Sequence, residues 1–208
     1  MDSSIVFRYF PNVDDVARDR IIQLKNIYLE WNAMVNLISR NDIAYLYERH
    51  VLHSLSISKF IKFLPGTKVM DIGTGGGFPG IPLAILFPEV QFTLVDSIGK
   101  KIKVVQDVIS RLDLKNTTAI CDRAENLTGS YDYVVSRATA PLSDIYKWSR
   151  TKISPKQINA VPNGIICLKG GDLTEEIKPF KGRTEVVTLS DYFTEDYFIT
   201  KKLLFLTV

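Results

Sequence analysis

Cysteine and histidine are both scarce in this chain of 208 residues, which contains two of each. Cys121 and Cys167 lie far apart without a CxxC pair, so no disulfide framework is expected. His50 and His53 are three positions apart, and two histidines with no nearby cysteine cannot close a tetrahedral zinc site. We therefore predict that the protein holds no metal and works in a reducing compartment.

Long apolar runs are also missing. The most apolar stretch, from Phe78 to Phe87, is interrupted by Pro79 and Pro82 and is too short to cross a bilayer. The first ten residues contain no basic segment followed by a long apolar one, so a signal peptide is not expected. These absences predict a soluble, cytoplasmic protein without a membrane partner.

A strong overall charge is absent too. The chain has 26 Lys and Arg residues and 23 Asp and Glu residues, which gives a net charge of +3. The balance is nevertheless uneven, because residues 97–156 carry eleven basic and six acidic side chains. This local excess suits a phosphate backbone, but it is equally compatible with an ordinary solvated face.

The first third of the chain is predicted to be helical. Apolar residues recur at helical spacing and form one face for packing on a sheet; they are Ile21, Leu24, Tyr28, Trp31, Val35 and Ile38. A second helical stretch is predicted from Ile43 to Leu64, before the stop signal Pro65-Gly66. We therefore assign residues 1–64 to a helical extension packed on a core of residues 65–208, within one structural domain.

From residue 68 onward, short apolar strands alternate with helices, a pattern that predicts an α/β fold with a mostly parallel sheet. The tail differs from this pattern. Segments 185–189 and 203–208 have strand character with no long helix between them, so they are expected to form an antiparallel edge pair. The fold class is therefore Rossmann-like.

The most informative segment is the glycine loop of residues 73–80, which follows the first predicted strand. Glycines at this position let a ligand approach the backbone and leave amide groups free at the start of a helix. The spacing Gly75-x-Gly77-x-x-Gly80 also matches a dinucleotide-binding fingerprint, so the spacing alone does not identify the cofactor.

Two carboxylates flank this loop. Asp71, before the glycines, would repel a pyrophosphate but suits the ammonium group of S-adenosyl-L-methionine (AdoMet); the alternative is that it only caps the loop. Asp96 ends the next strand, where a carboxylate accepts hydrogen bonds from ribose hydroxyls. After the third strand, Ala124 and Glu125 are candidates for contacts with adenine, or belong to an exposed charged loop. Together these residues favour an AdoMet-dependent methyltransferase.

At this point the chain resembles a known family, the ribosomal small-subunit methyltransferase G family, also called glucose-inhibited division protein B. The matching segments span residues 31 to about 170. They are Trp31-Asn32, Asn36-Leu37, Arg49-His50, Asp71 to Pro82, Asp96-Ser97, Gly99-Lys100-Lys101, Arg123-Ala124-Glu125, Ser136-Arg137-Ala138 with Ala140, and Leu168-Lys169-Gly170.

The resemblance implies a class I AdoMet-dependent methyltransferase fold and methylation of N7 of one guanosine in 16S ribosomal RNA (rRNA). It also implies cofactor contacts from Gly73, Phe78, Ala124, Glu125 and Arg137, which join Gly75 of the glycine loop and Asp96 as predicted cofactor-binding residues. One departure is present: His53 stands where the family usually has an acidic residue.

Guanine N7 already carries a lone pair, so no general base and no catalytic nucleophile are expected, and the methyl group should transfer in line. Lys100 and Arg123 follow predicted strands at the rim where ligands bind in such sheets, and we assign them to rRNA phosphates. The 16S rRNA or the small ribosomal subunit is therefore the expected partner. The main alternative is a methyltransferase that acts on a small molecule or a protein.

Overall fold

The computed structural model describes residues 2–35, 37–39 and 41–208. Asn36, part of one segment that carries the family resemblance, lies outside the described residues. The strands are β1 Lys68–Ile72, β2 Gln91–Asp96, β3 Thr117–Cys121, β4 Tyr133–Arg137, β5 Gly164–Gly170, β6 Thr184–Thr188 and β7 Lys201–Thr207. The helices are α1 Ser4–Tyr9, α2 Asp15–Met34, α3 His53–Leu55, α4 Ile57–Phe60, α5 Gly80–Leu86, α6 Gly99–Arg111, α7 Leu142–Ser149 and α8 Thr174–Ile177.

All seven strands pair into one sheet in the order β3-β2-β1-β4-β5-β7-β6. The first five are parallel, whereas β7 runs antiparallel to both β5 and β6. The predicted mostly parallel sheet with an antiparallel C-terminal edge pair is therefore confirmed. Because the parallel register brings Asp96 beside Cys121 and Ile72 beside Val95, the loops that follow β1, β2 and β3 meet at one edge.

The predicted stripe of α2 packs as expected over most of its length. Ile21, Leu24 and Tyr28 are fully buried, and the Asp14 side chain caps the helix by accepting a hydrogen bond from the Ala17 amide at 2.8 Å. These residues belong to the same apolar cluster as residues of β1, β2 and β5, so the N-terminal segment shares its core with the sheet.

Trp31, further along the stripe, is half-buried and packs against this cluster, while its indole Nε1 donates to Asp107 Oδ2 of α6 at 2.7 Å. The helix then ends at Met34, so Val35 and Ile38 lie beyond it. Beyond the helix, Asn32 Oδ1 accepts hydrogen bonds from the amides of Leu37 and Ile38.

The helix predicted from Ile43 to Leu64 ends earlier than expected, so the prediction is wrong at its C-terminal end. The segment is also not a single regular α-helix. It begins as a 3-10 turn over Ile43–Tyr45, continues as a π-helical segment over Leu46–Leu52, and is complete at Phe60. Residues 61–64 are instead extended, because Ile61 and Phe63 alternate into the core while residues 62 and 64 face solvent. Among the described residues, no helix combines the length and the apolar character that crossing a bilayer requires.

We predict that Leu24→Ala lowers the free energy of unfolding by about 2–5 kcal/mol, because it leaves a cavity under a helix that shares the sheet's core. Leu24 is fully buried, whereas Leu29 on the same helix is 44% exposed and provides the matched control. Urea denaturation should show a change of no more than about 0.5 kcal/mol for Leu29→Ala. Equal effects of the two substitutions would contradict a shared core.

Candidate functional site

A cleft of about 520 Å³ lies at the carboxyl ends of β1 to β4, a size typical of small-molecule sites. We call it the main cleft. Most of its lining comes from four segments at the ends of strands, which are residues 73–76 and 78, 95–98 and 101, 122–125, and 137–139. The N-terminal segment adds Leu37, Ile38 and His50, and the remaining lining residues are Ile72 of β1 and Trp148 of α7. Ligands of open α/β sheets bind at this edge.

The glycine loop forms the floor of the main cleft. Gly73 and Gly75 have φ values of +66° and +58°, in the left-handed region that side chains disfavour. A Cβ on Gly73 would collide with the side chain of Thr139, whereas a Cβ on Gly75 would meet no atom closer than 3.9 Å. Position 73 therefore requires glycine both because of close packing and because of its φ value. Position 75 requires glycine because of its φ value alone.

Asp71 is fully buried beneath this loop and is not among the residues that line the main cleft. Its Oδ2 accepts hydrogen bonds from Thr74 Oγ1 at 2.7 Å and from the Gly80 amide at 2.8 Å. Oδ1 is buried and, within the part of the chain that the structure describes, has no hydrogen-bond partner. Burial raises the pKa of Asp71 to about 7, although both hydrogen bonds act to lower it. The geometry thus shows Asp71 capping the loop, the alternative considered for this residue from the sequence.

Asp96, at the end of β2, connects the floor to the neighbouring wall. Its Oδ2 accepts a hydrogen bond from the Gly75 amide at 3.0 Å, and its Oδ1 accepts from the Ile98 amide at 2.9 Å. The Lys101 ammonium lies 3.8 Å from the same Oδ2. Because a carboxylate oxygen accepts more than one hydrogen bond, Asp96 keeps acceptor capacity for a ligand in the cleft.

The far end of the main cleft is formed by the turn after β3. Ala124 is buried, while Glu125 and Arg123 are exposed and lie 3.9 Å apart between Oε1 and NH1. Trp148, from the last turn of α7, completes this end of the cleft. Trp148 was not predicted as a site residue, because nothing in the sequence near it shows that α7 folds back to this loop.

The inner wall is centred on Phe78. Its ring lies 5.0 Å from that of Tyr28 and 5.2 Å from that of His50, and the Arg137 guanidinium lies 5.1 Å from its centroid. The Tyr28 hydroxyl donates to the Gly76 carbonyl at 2.6 Å. The N-terminal segment therefore holds the glycine loop from outside through Tyr28 and contributes His50 to the wall.

Arg137, at the end of β4, is held by two acceptors of the N-terminal segment. NH1 donates to the Arg49 carbonyl and NH2 donates to His50 Nδ1, both at 2.9 Å. Because Nδ1 accepts this hydrogen bond, the proton of the neutral His50 ring resides on Nε2. Burial, followed by the charge of Arg137, lowers the pKa of His50 to about 3. His50 is therefore neutral at physiological pH.

A second cavity of about 470 Å³, which we call the side chamber, shares His50, Arg137 and Ala138 with the main cleft. Its other lining residues include Asp42, Arg49, His53, Lys169, Tyr197 and Lys201. The pairs Arg49–Asp42 and Lys169–Glu176 form ion pairs at 2.6 and 2.7 Å. The side chamber is therefore lined mainly by basic and aromatic groups.

His53 is buried in the wall of this chamber, 3.1 Å from the Tyr197 hydroxyl through Nδ1. Tyr197 in turn donates to the Arg49 carbonyl, so its oxygen accepts from His53 and the His53 proton resides on Nδ1. Burial and the charge of Arg137 lower the pKa of His53. A neutral histidine thus occupies the position where the family resemblance implies an acidic residue.

The predicted site residues fall into two groups. The structure brings Gly73, Gly75, Phe78, Asp96, Ala124, Glu125 and Arg137 together around the main cleft. Arg123 also lines its rim, with a side chain 74% exposed, whereas Lys100 is exposed and lies outside both cavities. Among residues 2–35, 37–39 and 41–208, no cluster of three or more potential metal ligands is present.

The residues of the main cleft fit an adenosine-bearing methyl donor. The positive-φ glycines leave room for close approach to the backbone, Asp96 keeps free acceptor capacity, and the volume suits a cofactor of this size. The sheet order, the glycine loop after β1 and the carboxylate after β2 together define a class I Rossmann-like methyltransferase.

Comparisons with known proteins agree with this class. The chain shares the fold of a precorrin-6y C5,15-methyltransferase from Geobacter metallireducens, with a TM-score of 0.57 and 14% identity over 83% of this chain and 91% of that one. A putative rRNA-methylase from Clostridium thermocellum gives a TM-score of 0.53 and 18% identity over 77% and 97% of the two chains. At such identities these structures show the fold alone.

The family model of GidB, rRNA small subunit methyltransferase G, matches residues 18–202, so the chain belongs to this family and is an enzyme. The ribosomal RNA small subunit methyltransferase G of Bacteroides thetaiotaomicron is 55% identical over 201 residues, which cover 97% of this chain and 98% of that protein. The resemblance found in the sequence is confirmed, and membership of a methyltransferase family implies a methyl donor.

We predict that the buried Asp71 carboxylate makes the folded state less stable as the pH rises from about 4 to 7. Its folded pKa of about 7 exceeds the ordinary value of 3.8, so the folded protein binds a proton that the unfolded chain has released. Asp71→Asn removes this ionisation. Between pH 5 and pH 7.5, the wild type should lose about 2 kcal/mol more unfolding free energy than the variant.

Urea titrations at the two pH values measure this difference. Asp144→Asn, at an exposed position on α7, is the matched control and should retain the pH dependence of the wild type. Parallel stability profiles for the wild type and Asp71→Asn would show that the Asp71 carboxyl group does not titrate in this range.

Proposed function

We propose that this enzyme transfers the methyl group of AdoMet to N7 of a guanosine in 16S rRNA. The family description and the name of the Bacteroides thetaiotaomicron relative support small-subunit rRNA as the substrate class. The choice of N7 is supported by the chemistry of the wall between the main cleft and the side chamber.

The observation that carries the proposal is the weakness of the bases around the side chamber, of which His50 also lines the main cleft. His50 has a pKa of about 3 and its Nδ1 lone pair is engaged by Arg137. The His53 pKa is also lowered, and the hydrogen bond with Arg49 lowers the pKa of Asp42. Groups that accept protons so poorly suit an acceptor atom that needs no deprotonation, and guanine N7 is such an atom.

The residues around the main cleft have distinct roles in this proposal. Asp96 accepts from the ribose hydroxyls of the donor, and the Ala124–Glu125 backbone contacts its adenine. Gly73, Gly75, Phe78 and Arg137 hold the remainder. AdoMet supplies an electrophilic methyl group on a sulfonium, and we infer an in-line transfer in which the chain contributes positioning, worth about 7–11 kcal/mol in favourable cases.

Arg137 is unsuited to gripping N7 itself. Its NH1 and NH2 groups donate to the Arg49 carbonyl and to His50, and its guanidinium lies over Phe78. A cation against N7 would oppose the positive charge that methylation leaves on the purine. We therefore expect any arginine that recognises the target base to contact O6 or a phosphate.

The proposed function is tested by incubating the enzyme with labelled AdoMet and either naked 16S rRNA, small ribosomal subunits, or a metabolite and protein extract. We expect label in the rRNA, and 7-methylguanosine at one position that is unmodified in cells lacking the gene. S-adenosylhomocysteine, but not NADH, should raise the melting temperature. Label confined to small molecules or proteins would overturn the choice of substrate.

Lys100 and Arg123 are proposed to contact rRNA phosphates. Arg123 is exposed at the rim of the main cleft, and Lys100 is exposed in the first turn of α6, outside the cleft. Lys100→Ala and Arg123→Ala should each reduce the slope of log binding constant against log salt by about one unit, because each contact releases condensed counterions. Lys68→Ala is the matched control, since Lys68 is exposed and begins β1, at the edge of the sheet opposite the cleft. Unchanged affinity and slope in both rim variants would remove these residues from the interface.

A further inference from the structure

Lys152 is a buried lysine without an acidic partner. Its side chain is only 8% exposed, and its ammonium donates to the Trp148 carbonyl at 3.0 Å and to the Glu125 carbonyl at 3.3 Å. Among the described residues, it has no further partner. A buried charge is unfavourable unless polar groups compensate it, and these two carbonyl groups are the acceptors that the fold supplies to the Lys152 ammonium.

The two carbonyl groups belong to different parts of the fold. Trp148 lies in the last turn of α7, where unpaired carbonyls and the helix dipole favour a cation. Glu125 lies in the 3-10 turn Ala124–Asn126 after β3. The Lys152 ammonium therefore ties the end of α7 to a loop that is distant in sequence.

Both tied residues line the main cleft at the end assigned to the nucleobase. On its other side, the same turn is held by Asp122, whose Oδ1 accepts from the Arg123 amide at 2.7 Å and from Asn126 Nδ2 at 2.8 Å. The turn is thus fixed by hydrogen bonds at two points. Ala124 also packs in the same apolar cluster as α7, but in the described part of the chain the Lys152 ammonium is the group that joins the turn to the Trp148 backbone by hydrogen bonds.

We propose that Lys152 is a positioning residue that fixes the spacing between the Ala124–Asn126 turn and Trp148, and thereby sets selectivity for the adenine base of the methyl donor. The inference rests on the proposed function, which assigns the donor's adenosine to this end of the cleft. Lys152 touches neither reactant in this proposal and acts through the Glu125 and Trp148 backbone.

The test compares Lys152→Met, which keeps most of the side-chain volume without the charge, with the matched control Lys147→Met, which removes an exposed charge from α7. Calorimetry measures binding of S-adenosylhomocysteine and of S-inosylhomocysteine, in which a carbonyl replaces the adenine amine. Lys152→Met should weaken S-adenosylhomocysteine binding about tenfold and reduce the preference over the inosine analogue. Lys147→Met should bind both compounds as the wild type does.

Hydrogen exchange without ligand gives a second readout. The amides of Asn126 and Leu127 donate within the turn, to the carbonyls of Arg123 and Ala124, and should exchange faster in Lys152→Met. If that variant does not fold, Lys152→Arg and Lys152→Gln are used instead, since both side chains retain hydrogen-bond donors. Both should lose less affinity and less selectivity than is expected for Lys152→Met, and Lys152→Arg should lose less than Lys152→Gln. Wild-type selectivity and exchange in a folded Lys152→Met protein, or wild-type selectivity in both of these donor-retaining variants, would overturn the inference.

Failure of the proposed function has a different outcome. If the wild-type enzyme binds neither homocysteine compound, the assignment of the donor to the main cleft is wrong. If the wild type binds S-adenosylhomocysteine with clear preference and Lys152→Met matches it, only the role of Lys152 is refuted.

Discussion

The Asp71 carboxylate, buried beneath the glycine loop, accepts hydrogen bonds from Thr74 near the loop's start and from Gly80 at its end. This closure fixes a backbone that contains left-handed glycines and would otherwise be mobile. With the loop fixed, the Gly75 amide reaches Asp96 on the neighbouring strand. The floor and the adjoining wall of the main cleft therefore depend on one buried carboxyl group, whose raised pKa reflects the cost of placing it there.

The N-terminal segment builds the site as directly as the sheet does. Tyr28 holds the glycine loop through the Gly76 carbonyl, and His50 with the Arg49 carbonyl holds Arg137 at the end of β4. Both acceptors that hold Arg137 are neutral groups. These contacts therefore do not neutralise the positive charge of its guanidinium. Among the described residues Arg137 forms no ion pair with a carboxylate, so this half-buried cation suits an anionic group of a ligand.

His53 stands where the family resemblance implies an acidic residue, and its surroundings suit a neutral ring. A carboxylate at this position would face the Arg137 charge, whereas the neutral His53 ring hydrogen-bonds to Tyr197 and packs edge-on against Phe198. Tyr197 then donates to the Arg49 carbonyl, the same carbonyl that accepts from Arg137. His53 therefore belongs to a hydrogen-bonded chain that ends on the same backbone carbonyl as Arg137.

The sequence by itself determined the fold class and most of the cleft, because glycine spacing and strand-end carboxylates are local signals that parallel strands carry to one edge. Ala124 and Glu125 were found in the same way. The tertiary structure alone decided that Asp71 caps the loop, that the second helical stretch ends at Phe60, and that Trp148 and Lys152 belong beside the cleft. Those facts depend on burial and on contacts between distant segments, which local sequence patterns do not encode.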